Sequence, residues 1–80
     1  MTIKEAKIYI QKELSGMYPE NEIASFVNII FKDVFLLSSV QLISDENKVL
    51  TDAKVSELIS IVTRLKKHEP LQYIIGYTEF

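Results

Sequence analysis

Eighty residues make one small domain, and a chain this short buries only about 60% of the surface its unfolded form exposes. The net charge of −2, spread over both signs without a basic run, argues against general affinity for nucleic acid, and the absence of cysteine excludes disulfides and thiolate metal sites. A lone His68 cannot build a metal site, and no apolar stretch approaches the roughly 18 residues of a membrane span. The first 14 residues interleave Lys4, Glu5, Lys7, Lys12 and Glu13 with apolar positions, which is no secretory signal. With the missing cysteines this suits a reducing, cytoplasmic setting. Apolar residues still make up 48% of the chain, with a mean hydropathy of +0.12, so apolar surface is left over to meet another domain or partner.

In chain order, Thr2 and Glu5 form a capping-box pattern that opens a helix over 3–15. Ile3, Ala6, Ile10 and Leu14 repeat at helical spacing, and Gly16 supplies a left-handed stop. Met17 to Asn21 reads as a linker containing Pro19. A second helix is predicted over 22–34, with Ile23, Phe26, Val27, Ile30, Phe31 and Val34 on the widest apolar face of the chain. A short third helix begins at Ser38 or Ser39 and carries Val40, Leu42 and Ile43. Asp45 to Lys48 is a polar loop.

Thr51 caps a fourth helix whose stripe is Val55, Leu58, Ile59, Val62 and Leu65, with Arg64, Lys66 and Lys67 against its negative end. Pro70 restarts the chain, helix is expected to about Ile75, and residues 76–80 are read as extended. The fold class is therefore all-α: a small orthogonal or irregular bundle of four to five short helices, with the second and fourth at its centre.

The stretch Thr51-Asp52, Leu58, Thr63-Arg64 and then Glu69-Pro70-Leu71-Gln72-Tyr73-Ile74-Ile75-Gly76-Tyr77-Thr78-Glu79-Phe80 resembles the end of the amino-terminal domain in the HemK/PrmC family. The shared pattern is a basic helix end, Glu-Pro, an aliphatic residue, a tyrosine, a glycine after the next aliphatics, and a closing Glu-Phe. It is most specific from Arg64 to Phe80.

The resemblance implies a parent enzyme that transfers a methyl group from S-adenosylmethionine to the glutamine amide of the Gly-Gly-Gln motif in peptide chain release factors. It places the cofactor and an Asn-Pro-Pro-Tyr motif in a separate carboxy-terminal methyltransferase domain, so no cofactor and no catalytic activity are expected in these residues. It also implies two partners, the release factor and the parent's own carboxy-terminal domain. On this reading residues 1–76 are a release-factor-recognition domain and 77–80 begin the link onward.

Two positions depart from the family. His68 and Leu36 stand where many members have glycine, at helix ends that favour a left-handed residue. Histidine tolerates that conformation better than most. A left-handed leucine costs about 1–2 kcal/mol, so the second helix is expected to end by another geometry, such as a tightened last turn.

Arg64, Lys66, Lys67 and His68 are candidates for partner docking, against the plainer reading of cations stabilising a helix C-terminus. Glu69, Pro70, Tyr73, Gly76, Glu79 and Phe80 are candidates for an interdomain joint, against ordinary core and turn roles. Glu5, Glu13, Glu20 and Glu22 read as surface charge. Leu37 to Leu42 faintly echoes the serine region of acyl carrier proteins, but no aspartate precedes either serine. A carrier or generic helical interaction domain is thus the alternative function. A helix-turn-helix reader would need exposed polar recognition residues that the two strongest stripes do not offer.

Overall fold

A computed structural model describes residues 1–78. Its helices are α1 (Ile3–Leu14), α2 (Glu20–Ile29), α3 (Ser39–Ser44), α4 (Asp52–Lys66) and α5 (Leu71–Thr78), and α2 runs on into a π-helical turn, Ile30–Val34. No strand occurs among the described residues; two isolated bridges pair Thr2 with Val49 and Ser15 with Tyr18.

Every free N–H at the start of α1 has an acceptor within the protein. Glu5 N–H donates to the Thr2 hydroxyl, and the Glu5 carboxylate accepts from Thr2 N–H, completing the predicted capping box. Ala6 N–H donates to the Thr2 carbonyl, while Ile3 and Lys4 reach the carbonyls of Lys48 and Glu46 in the loop before α4. The helix start is thereby stitched to a segment more than 40 residues away. Ile3, Ala6, Ile10 and Leu14 are all fully buried, and α1 packs against both α2 and α4. The second helix with its π turn packs on α1 and α5, and α4 packs on the same two, so the expected central pair shares the core with α1 rather than holding it alone.

Gly16, at φ 86, stops α1 as expected, and α2 begins at Glu20, directly after Pro19 and two residues earlier than the sequence pattern places it. Pro19 fixes the entry backbone, and its carbonyl accepts from Glu22 and Ile23.

The end of α2 overturns the expected tightened turn. The helix widens instead: Phe35 N–H donates to the Ile30 carbonyl, five residues back, and Leu37 N–H to Phe31, six back. Leu36 stands in the left-handed region at φ 57. The wider turn leaves Ile30, Phe31 and Phe35 all buried, with the two phenyl rings edge to face at 5.4 Å. The chain must then reverse at once for Leu37 N–H to reach the Phe31 carbonyl, and Leu36 takes the reversal with its side chain in solvent.

Ser38 caps α3 through a second capping box with Gln41. Leu37 and Leu42 occupy the two staple positions around that cap, and both join the core. Lys7 of α1 donates to the Leu42 carbonyl at 2.7 Å, satisfying an orphan acceptor in the last turn of α3. Val40 and Ile43 face outward.

In α4 the buried set is Leu58, Ile61, Val62 and Leu65, with Val55 partly covered. Ile59, placed on the stripe by sequence, is 42% exposed, and Ile61 takes its place. The residues 58, 61, 62 and 65 form a narrower stripe centred on the α1 contact. Helix α5 buries Leu71, Ile74 and Ile75, an i, i+3, i+4 set that only a helix can direct to one side. Its aromatic and β-branched content suggested extended chain after Ile75, but packing decides such residues' preference, and the helix continues through Gly76 to Thr78.

Candidate functional site: a groove between α2 and the α4–α5 turn

The last turn of α4 closes as a Schellman motif: Glu69 N–H donates to the Arg64 carbonyl and His68 N–H to the Leu65 carbonyl. His68 is the left-handed residue at φ 63, in the place where glycine is usual. A hydrophobic contact commonly links the two outer positions of this motif. Here an ion pair does so, with Nε and Nη2 of Arg64 donating to Glu69 Oε1 at 3.0 and 2.9 Å. The Arg64 hydrogen bonds, which outweigh some loss of hydration, hold the Glu69 carboxyl below the ordinary range. Pro70 follows, its carbonyl accepting from Tyr73 and Ile74 as α5 begins.

This turn and α5 form one wall of a groove of about 670 Å³. The other wall is a single face of α2 and its π turn: Glu22, Phe26, Ile29 and Asp33. Tyr18 and Leu65 lie between the walls. The Tyr18 ring stands edge-on to Phe26 at 5.0 Å and 5.9 Å from the His68 ring, and its hydroxyl donates to the Leu65 carbonyl at 2.7 Å. Leu71 and Ile75 complete an apolar floor. Among the described residues the lining carries three carboxylates, Glu22, Asp33 and Glu69, and no lysine or arginine. Glu69 is countered by Arg64, so Glu22 and Asp33 give the groove an acidic edge.

Four residues singled out in the sequence meet here: His68, Glu69, Pro70 and Gly76. Arg64 stands beside them through Glu69. Lys66 points away, paired with Glu13 of α1 at 2.9 Å, and Lys67 is exposed at the cap. Tyr73 is 73% exposed outside the groove lining. Glu79 and Phe80 lie outside the described residues.

The α2 wall was not legible as a site. Phe26 reads as core, and the spacing Glu22, Phe26, Ile29, Asp33 marks a second helical face only once α5 is known to lie opposite. A second groove, about 720 Å³, runs between α1 and α2 beside Ile8, Lys12, Glu20 and Ile23, without aromatic residues. Glu5 and Ser38 serve in the capping boxes, and the Ser38 hydroxyl accepts from Gln41 N–H. Among the described residues no cluster of His, Asp and Glu could hold a metal ion, and no helix is long and apolar enough to cross a membrane.

An all-helical domain of five short helices with an open, acid-edged groove is the class that this geometry defines. The chain belongs to the PrmC N-terminal domain family, whose pattern matches residues 5–76. It is 35% identical over 72 residues to the release factor glutamine methyltransferase of Bacteroides thetaiotaomicron, covering 90% of this chain and 26% of that protein. It is 30% identical over 80 residues to the release factor glutamine methyltransferase of Flavobacterium psychrophilum, covering all of this chain and 28% of that protein. The chain thus spans about a quarter of the length of these relatives. No solved structure matches it.

Proposed function

We propose that this chain is the substrate-holding, amino-terminal part of an S-adenosylmethionine-dependent methyltransferase that modifies the Gly-Gly-Gln glutamine of peptide chain release factors. The relatives' names supply the reaction class. The groove supplies the means of holding a protein: an apolar floor that desolvates a side chain, edged by Glu22 and Asp33, which favour a basic neighbour. Methyl transfer and the cofactor belong to a further domain of the parent, which works in the cytoplasm, and these helices position the release factor for it. They contact neither nucleic acid nor membrane.

The single observation that carries this reading is the convergence of His68, Glu69, Pro70 and Gly76 on one groove opposite an acidic face of α2. The test is steady-state methylation of intact release factor by the full-length enzyme carrying Glu22→Lys and Asp33→Lys together. Both side chains are exposed, so folding is spared. KM for release factor is expected to rise about tenfold or more with kcat little changed, the signature of lost ground-state binding. An unchanged KM would overturn the groove as the docking site.

A further inference from the structure

Leu36 stands at φ 57 with its side chain 81% exposed. The left-handed region is costly for any residue with a Cβ, and this leucine recovers nothing by burial among the described residues. The reversal itself serves the cap, since it brings Leu37 N–H to the Phe31 carbonyl, but nothing among the described residues accounts for an aliphatic side chain held in solvent at such a position. Two more aliphatic side chains follow, Val40 at 72% and Ile43 at 76% exposure, three apart on the outer side of α3. From Val34 to Ser44 the sequence carries no charge. A single exposed aliphatic residue needs no explanation, but three within eight positions, with no charge among them, do.

We propose that this α3 face is covered in the parent enzyme by an apolar surface of the same polypeptide outside these 80 residues. The inference rests on the reading above that the chain is one part of a longer methyltransferase; the relatives, of which it spans 26% and 28%, are long enough to supply that surface. Chemistry and size both select a tethered occupant. Permanent contacts resemble a domain core, whereas transient partners meet charged rims. The α3 face is aliphatic and uncharged, unlike the acid-edged groove. Val40 and Ile43, with Leu36 just ahead of them in the chain, also make a small apolar patch beside the area that a stable interface between separate molecules buries. A linked surface does not need that area, because the link sets its effective concentration.

The test compares thiol labelling of Ile43→Cys, and separately Val40→Cys, in the 80-residue chain and in the full-length enzyme, with the labelled position read by peptide mass. Ser60→Cys, exposed on α4, is the control. At positions 40 and 43 the full-length enzyme is expected to react at least tenfold more slowly, with Ser60→Cys reacting alike in both. Equal rates at 40 and 43 overturn the proposal. Slowing in the 80-residue chain as its concentration rises would assign the face to a second copy, and slowing only after release factor is added would assign it to the substrate; either result overturns it. If the full-length protein proves unable to methylate release factor, the functional reading falls, while the labelling still decides the contact. Leu36→Gly gives an independent sign: the melting temperature of the 80-residue chain holds or rises, and that of the full-length enzyme falls. A fall of equal size in both counts against the proposal.

Discussion

The phenolic oxygen of Tyr18 and the carbonyl of Leu65 lie 2.7 Å apart across 47 positions of sequence, fastening the α1–α2 linker to the last turn of α4. The same carbonyl accepts from His68 N–H, so one acceptor serves both the helix cap and the linker. Tyr18→Phe removes one donor and leaves the carbonyl still bonded. A loss of about 1 kcal/mol follows, because a net hydrogen bond contributes roughly 0.5–1.5 kcal/mol. Urea unfolding of the two proteins measures it, and identical midpoints would show that the bond adds nothing.

Packing separates two isoleucines that look alike in sequence. Ile10 is fully buried and Ile59 is 42% exposed. Ile10→Ala is expected to cost about 2–5 kcal/mol, the range for a deleted core side chain. Ile59→Ala is expected to cost less than about 1 kcal/mol, as surface changes commonly do. A domain of this size holds about 4–12 kcal/mol in total, so Ile10→Ala brings the chain near the edge of folding. Comparable losses at both positions would refute the assigned packing.

His68 at φ 63 makes a prediction about residue shape rather than charge. His68→Val places a β-branched residue in the left-handed region and is expected to destabilise by about 1–2 kcal/mol. His68→Gly removes that strain but also the ring beside Tyr18, and is expected to fall within about 1 kcal/mol of the starting protein. Chemical denaturation of both variants reads the difference, and a valine variant as stable as the glycine one would contradict the motif.

Acid should loosen this domain through two identified carboxylates. The Arg64 hydrogen bonds lower the pKa of Glu69, and the Thr2 backbone N–H, followed by its hydroxyl, lowers that of Glu5. Each folded value lies below the ordinary one near 4.5, so the unfolded chain binds more protons in acid. Their stabilisation is fully present above that pH and is lost as pH falls through the lowered folded values. Thermal melts between about pH 6 and pH 2.5 should therefore show a shallower decline for Glu69→Gln than for the parent chain. Parallel declines would remove Glu69 from the account.

Lys7 reaches the Leu42 carbonyl at 2.7 Å and ties α1 to the six-residue α3. Lys7→Met keeps the stem and deletes the donor. A loss of about 1.5–3 kcal/mol is expected, the range for charge-assisted hydrogen bonds. Amide hydrogen exchange should rise selectively over residues 39–45, and uniform change across the chain would argue against a local role.

The helices themselves were readable because their signals are local. Thr2 with Glu5, Ser38 with Gln41, and Thr51 announce their caps within three residues, and Gly16 announces a stop. What was not readable depends on which neighbours a face meets. Ile59 and Ile61 are equally apolar, and only the direction of α1 decides between them. The left-handed Leu36 has no local signal at all, since leucine is among the residues least suited to it. The groove was half visible: His68, Glu69 and Pro70 are neighbours in sequence, but Glu22 and Asp33 become their companions only through the path of α2 past α5.

The widened turn at Ile30–Val34 holds one residue more than an ordinary helical turn would need. Excising that one residue would let the segment close at the ordinary pitch, because the wide turn is what absorbs the extra residue while the helix before it keeps its face. The aliphatic face of α3 would largely keep its outlook, and the cost would fall on Ile30, Phe31 and Phe35, which the wide turn buries together. The loss of one codon there would thus be felt in the core before it altered the aim of either surface.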